Sequence, residues 1–231
     1  MIVFAGPSLP LDLRDRWRGI DWRAPAEAGD FLALVDEAPA KVLLLDGYFE
    51  ERAAVMHKEA LSLMAAGTRL YGASSMGALR AAELHEFGMT GIGSIFDAYR
   101  SGLLVGDDEV ALVHGDARIG WKAVSVPMVD VRATLVAAVR AGIIEPATAR
   151  ILRKRWHDIY YVDREWPPMI DAAEGIASRE TLGAIAGMHV ELKEADAIHA
   201  MDVALSDEAP AMPIDVPQTD FLEALRRRPT V

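Results

Sequence analysis

Two adjacent serines at a tight bend, Ser74 and Ser75 in Gly72-Ala-Ser-Ser-Met-Gly77, are the residues of this chain best suited to chemistry. Ala73 and Gly77 stand two positions either side of Ser75, and small residues there let a strand and a helix approach closely, as a nucleophile elbow requires. The same bend sets unpaired N–H groups of a helix start beside the hydroxyl, which suits an oxyanion, a carboxylate or a phosphate. A serine heading an amphipathic helix is also an ordinary N-cap, so a structural reading stands beside the chemical one. A seryl nucleophile needs a base for its proton, usually a histidine oriented by a carboxylate. His57, with Glu59 two residues on, and Glu83 on the following helix offer that combination. Neighbouring helical residues point to different faces, so His57 and Glu59 do not both aim at one atom. Arg80 lies three residues before Glu83 and can pair with it as a carboxylate clamp. His85 and His114 are alternative bases.

Asp107-Asp108-Glu109 follows a glycine turn and would suit a hard cation through oxygen ligands, or a solvated loop. Tyr48 and Phe49 offer aromatic walls for a ligand, or the packing of a lid. Arg150, Arg153, Lys154 and Arg155 at helical spacing form a solvated face or a docking patch. No HExxH, Walker-type or GxGxxG pattern occurs, so a zinc hydrolase, a P-loop enzyme and a dinucleotide dehydrogenase have no motif behind them. No metal and no cofactor are expected.

The elements that must position these residues alternate. Ile2–Ala5 ends at Gly6-Pro7-Ser8 and Lys41–Asp46 ends at Gly47; continuous apolar runs of this length predict strands buried on both faces. Leu11–Trp17 and Asp30–Ala38 read as helices between them, the second with Asp30 as N-cap. A helix over Val55–Ala66 closes at Gly67, a C′ glycine. Strand three is Arg69–Tyr71, followed by helices over Met76–Phe87 and Ile92–Arg100. Such alternation predicts βαβ units and a parallel sheet. Ligands then sit beyond the carboxyl ends of the strands, where the loops holding Gly6 and Ser8, Asp46 and Tyr48, and Gly72, Ser74 and Ser75 converge.

Glu109–Val113 is strand-like, and beyond residue 116 the pattern is mainly helical: Val129–Ala141, Pro146–Tyr160, Met169–Ala177, Ser178–Gly187 and Leu192–Leu205. Trp166-Pro167-Pro168 reads as a break. The chain therefore divides into an α/β core over 1–115, a helical extension over 116–205 and a loose tail over 206–231, in which Thr219–Arg228 could form a short helix.

Cysteine is absent from the 231 residues, which excludes disulfides, thiolate metal sites and a cysteine nucleophile. The net charge of −11 disfavours nucleic acid and anionic membrane as partners. The N-terminal apolar run is too short for a signal peptide, and no stretch approaches a bilayer span. A soluble cytoplasmic protein is the expectation.

The ordered motifs Phe4-Ala-Gly-Pro-Ser-Leu9, Asp46-Gly-Tyr-Phe-Glu50, His57-Lys-Glu59, Gly72-Ala-Ser-Ser-Met-Gly-Ala-Leu-Arg-Ala-Ala-Glu-Leu84, Phe87-Gly-Met89, Gly91–Phe96, Tyr99-Arg100 and Asp107-Asp-Glu-Val110 resemble the TfuA-like protein family over about residues 1–115. The resemblance implies a partner of YcaO enzymes in peptide-backbone thioamidation, within ribosomal peptide biosynthesis or on methyl-coenzyme M reductase. It further implies release of sulfide from a thiocarboxylated ubiquitin-like carrier protein, with the precursor peptide as a further partner. The combined expectation is a Rossmann-like α/β domain with a helical C-terminal extension. In it Ser75 is the nucleophile, His57 the base and Glu83 its carboxylate. Gly6, Ser8, Asp46, Tyr48, Gly72, Ser74, Gly77 and Arg80 line the substrate site. A non-catalytic adaptor that recruits the carrier, and a nucleotide module binding phosphate at Ser74-Ser75, are the rival readings.

Overall fold

The two apolar runs nearest the N-terminus lie side by side as parallel strands, Ile2 opposite Val42 and Phe4 opposite Leu44. The computed structural model describes residues 1–48, 52–211, 214, 216, 219, 220, 223 and 224. Among these, five strands form one sheet: β1 (Ile2–Phe4), β2 (Asp21–Arg23), β3 (Lys41–Leu44), β4 (Arg69–Ala73) and β5 (Thr90–Ile92). Their order is β2-β1-β3-β4-β5 and every pairing is parallel. Helices α1 (Leu11–Arg14), α2 (His57–Ala65), α3 (Met76–Leu84) and α4 (Ser94–Arg100) connect them. Then come α5 (Met128–Arg140), α6 (Pro146–His157), α7 (Trp166–Ala172), α8 (Arg179–Gly187) and α9 (Leu192–Ser206). This is the α/β, Rossmann-like parallel sheet with C-terminal helices that the periodicity predicts.

Residues group into two compact units, 1–105 with those from 194 onward, and 106–193. In the first unit, one face of the sheet presents Val3, Leu43, Tyr71 and Ala73, and α9 covers it with Ala197, Ala200, Met201 and Ala204. That stripe repeats at i, i+3, i+4 and i+7, the helical period. Alternation along the strand turns Gly72 to the other face, against α3. Helix α9, read from the sequence as part of the extension, thus supplies a layer of the sheet. In the second unit, α5 to α8 enclose Val131, Leu135, Leu152, Trp156, Met169 and Leu182. The Trp156 indole donates to Met169 O at 2.7 Å, so even this buried ring is satisfied.

Several local expectations give way. The helix read over Asp30–Ala38 is one 3₁₀ turn, Leu32–Leu34. Asp30 accepts from Glu27 N and closes a turn behind itself, and Ala38 sits at a φ of +43°, so neither end extends a helix. Helix α1 stops at Arg14 and not at Trp17. Two three-residue edge strands escaped the reading because Asp-Trp-Arg and Thr-Gly-Ile carry no apolar run. Ile92 consequently ends β5, and α4 begins only after Gly93, at a φ of +98°. The segment read as strand-like opens in a 3₁₀ turn, Asp107–Glu109. Trp166-Pro167-Pro168 starts α7, since a proline in the first turn lacks an N–H that would have no partner there.

The glycine stop after α2 forms as read. Gly67 takes a φ of +102°, its N–H bonds Met64 O, and Thr68 N bonds Leu63 O, a Schellman closure. No helix among the described residues is long and apolar enough to cross a membrane. Phe49, and most of the short helix read over Thr219–Arg228, lie outside the described residues.

Candidate functional site

A sheet ordered 2-1-3-4-5 reverses its winding between β1 and β3, and that switch point is where such sheets open a ligand crevice. Asp46 stands there at the end of β3, 2% exposed. Its Oδ2 accepts from Gly6 N at 2.8 Å and Ser8 N at 3.0 Å, and its Oδ1 accepts from Ser8 Oγ at 2.7 Å. Arg14, which the sequence reading passed over, donates from Nε to Leu9 O and from Nη2 to Gly6 O. Burial lowers its pKa while Asp46 raises it. Gly6, Ser8 and Asp46 do meet across forty residues of sequence, but they spend their polar atoms on one another. They fix two strand-end loops as one rigid rim.

The next loop, from β4 into α3, touches that rim. Gly77 N donates to Leu45 O at 3.2 Å. A Cβ on Gly77 would collide with Leu44 O, and one on Gly72 with Gly77 O, so both glycines are required for α3 to press onto β3 and β4. A side chain on Gly47 would strike Met76 Sδ. Between the close contacts, Ser74 adopts a φ of +67°, a conformation that a non-glycine residue holds only when its surroundings enforce it. Ser74 is fully buried and Ser75 is 4% exposed.

Ser75 is the N-cap of α3 by position but not by bonding. Its hydroxyl makes no cap bond, and no hydrogen bond to any described residue. Its N–H turns back to Ala73 O at 2.8 Å, while its own carbonyl accepts from Ala78 N and Leu79 N. With Gly77 N engaged by Leu45 O, the Met76 N–H is the first-turn amide of α3 without an acceptor among the described residues. A buried hydroxyl and a helix-terminal amide therefore adjoin at the start of α3. That pair is a donor set for an anionic or carbonyl oxygen.

His57, Arg80 and Glu83 also come together, though elsewhere. His57 Nε2 lies 2.8 Å from Glu83 Oε2, Arg80 Nη1 bonds the same oxygen, and Arg80 Nε donates to Val55 O at 2.9 Å. Burial would raise the Glu83 carboxyl, but the His57 hydrogen bond and the Arg80 charge outweigh it and hold the pKa below its ordinary value. Glu83 lies eight residues beyond Ser75, a backbone rise of about 12 Å along α3. The group ties the start of α2 to the C-terminal half of α3. Glu59 turns inward instead, accepting from Gly29 N and Met56 N, with burial raising its pKa against those bonds. His85 Nδ1 donates to Ala82 O and His114 Nδ1 to Gly115 O. Tyr48 is half-buried, with Arg52 stacked 4.5 Å above its ring.

The helix start after β5 is filled from within the chain. Asp196 of α9 accepts from Ser94 N and Ile95 N at 3.0 and 2.8 Å, a contact a hundred residues long that no local pattern announces. In the second unit, two members of the acidic triplet, Asp108 and Glu109, pair with arginines. Fully buried Arg164 bonds Asp108 Oδ2, and Arg132 grips both oxygens of Glu109. Among the described residues, no group of three His, Cys, Asp or Glu is placed to hold a metal.

A five-stranded parallel sheet ordered 2-1-3-4-5, with an internal carboxylate at its switch point and α3 and α9 against its two faces, defines a Rossmann-like α/β protein. The profile of TfuA-like proteins matches residues 46–165, and the chain belongs to that family. The match takes in the Asp46, His57 and Ser75 segments and runs on through α6, past the point where the sequence motifs fade. No curated protein matches the chain.

Proposed function

We propose that this protein is a YcaO-associated accessory factor for peptide-backbone thioamidation that receives the thiocarboxylated tail of a ubiquitin-like sulfur carrier at Ser75 and releases sulfide from it. Family membership supports the YcaO association. The observation that carries the chemical part is the Ser75 hydroxyl, nine-tenths buried and unbonded beside the Met76 amide. Gly72 and Gly77 let α3 press onto β3 and β4 and so hold Ser75 at the bend.

In this reading Ser75 Oγ adds to the thiocarboxylate carbon, the seryl proton passes to the thiocarboxylate sulfur, and the C–S bond breaks to leave a seryl ester and release hydrosulfide. Hydrosulfide is a far weaker base than an alkoxide, so it is the group expelled when the tetrahedral intermediate collapses. Water then opens the seryl ester, giving the carrier carboxylate and restoring the hydroxyl. The Met76 N–H and the positive end of α3 stabilise the oxyanion. Carrier thiocarboxylate incubated with the protein should release sulfide, and Ser75→Ala should lower that release by at least about a hundredfold with an unchanged melting curve. Sulfide release at the original rate from the Ser75→Ala variant would refute the nucleophile.

The separation of the His57–Glu83 pair from the hydroxyl favours a second reading, an adaptor that holds the carrier tail without cutting it. An adaptor would bind carrier and YcaO yet release no sulfide when isolated.

A further inference from the structure

Helix α6 carries two stripes. One, with Leu152 and Trp156 at zero exposure, is part of the core of the second unit. The other runs Ala147, Arg150, Ile151, Lys154, Arg155 and Asp158, spaced i, i+3, i+4, i+7, i+8 and i+11, and lines an open groove of about 640 Å³. Ala172, Glu174 and Ile176 form the facing wall. Ile151 is 55% exposed on the floor. A solvated helix face has no need of an isoleucine between alanines, whereas a docking face does.

The charges around that floor are unspent. Arg150 and Lys154 make no hydrogen bond or ion pair with a described residue, and the same holds for Arg153 beside them. Arg155 donates to Ala172 O and keeps its charge. Of the two acids present, Glu174 is held by Arg179. On a chain of net charge −11, this is a local basic surface around an apolar floor.

We propose that this groove binds an acidic amphipathic helical segment of a partner protein. Residues 147–158 extend about 16 Å, the length of three helical turns. Apolar side chains at i, i+3 or i+4, and i+7 of the guest would seat on Ile151, Ala147, Ala172 and Ile176, and flanking Glu or Asp would meet Arg150, Arg153 and Lys154. The small alanines admit a close approach. A nucleic acid fits less well: no aromatic ring lines the groove for base stacking, and the overall negative charge repels a polyanion. The proposal is independent of the reading at Ser75.

The test is fluorescence anisotropy with the full chain and a labelled synthetic peptide of Leu, Ala and Glu, three turns long, with Leu on one face. Saturable binding is expected, weakened by added salt and at least about tenfold by Arg150→Glu with Lys154→Glu, and likewise by Ile151→Asp. A peptide of the same composition with Leu scattered over all faces should bind several-fold more weakly. Melting curves check that each variant folds, and Arg150→Gln with Lys154→Gln, expected to give an intermediate loss, replaces any that does not. Absence of saturable binding, equal binding by the variants or by the scattered peptide, or tighter binding of single-stranded DNA would each overturn the proposal.

Discussion

Gly77 carries a constraint that can be measured separately from any chemistry. Its α-carbon rests against Leu44 O, and backbone cannot retreat as a flexible side chain would. Gly77→Ala should therefore cost at least about 3 kcal/mol, the upper range for a strained substitution in a packed core. Urea unfolding with an unchanged slope and a midpoint shifted down is the expected result, and an unchanged midpoint would mean that α3 does not press on β3 as described. Part of this site was legible beforehand. Small residues around Ser75 announced a sharp strand-to-helix bend, and the bend is there, with the positive φ falling on Ser74. The pairing of His57 with Glu83 also formed. The rise of eight residues from Ser75 to Glu83 was legible too, since one helix carries both; which part of α3 the start of α2 meets was not, and Arg80 reaching Val55 O helps fix it. Arg14 and Asp196 gave no signal at all, since each acts on backbone groups whose exposure is decided by tertiary structure.

At the level of elements, long apolar runs and glycine stops were read well, and short polar pieces were not. β1 and β3 declare themselves through Ile2–Phe4 and Lys41–Leu44, and the end of α2 through Gly67. β2 and β5 are strands only because β1 and β4 offer them hydrogen bonds, a fact of pairing that no composition encodes. The segment from Asp30 to Ala38 has the apolar spacing of a helix but is too short to nucleate without tertiary help. In α8 the sequence leaves an improvement open. Gly183 is exposed, has no atom within 4 Å of where a Cβ would stand, and shows no positive φ. Gly183→Ala should stabilise by about 0.5–1 kcal/mol and raise the melting temperature by roughly 1–4 °C. A lowered melting temperature would contradict the open space around it.

For the whole molecule, one buried carboxyl gives stability a pH dependence. Asp130 accepts from Lys193 N, and desolvation pushes its pKa up to about 7 although Lys193 pulls it down. The folded state thus keeps a proton that the unfolded chain, with an aspartate pKa near about 3.9, releases. This contribution is full below about pH 4, declines as the pH rises through 7 and is constant above. His189 acts in the opposite sense: burial lowers its pKa, so its share is present above the unfolded histidine value and is lost on acidification. The difference between wild type and Asp130→Asn isolates the first effect. Urea midpoints of the variant should fall less than those of the wild type between pH 4.5 and pH 8; parallel curves would show that Asp130 ionises normally.

The placement of α9 governs when the sheet can be sealed. Val3, Leu43 and Tyr71 leave the ribosome early, while Ala197, Ala200, Met201 and Ala204 emerge after every helix of the second unit. At ordinary elongation rates the wait is on the order of ten seconds. Throughout that interval one apolar side of the nascent sheet lacks the helix that covers it in the folded chain, so release of chains truncated before α9 should yield aggregation-prone protein.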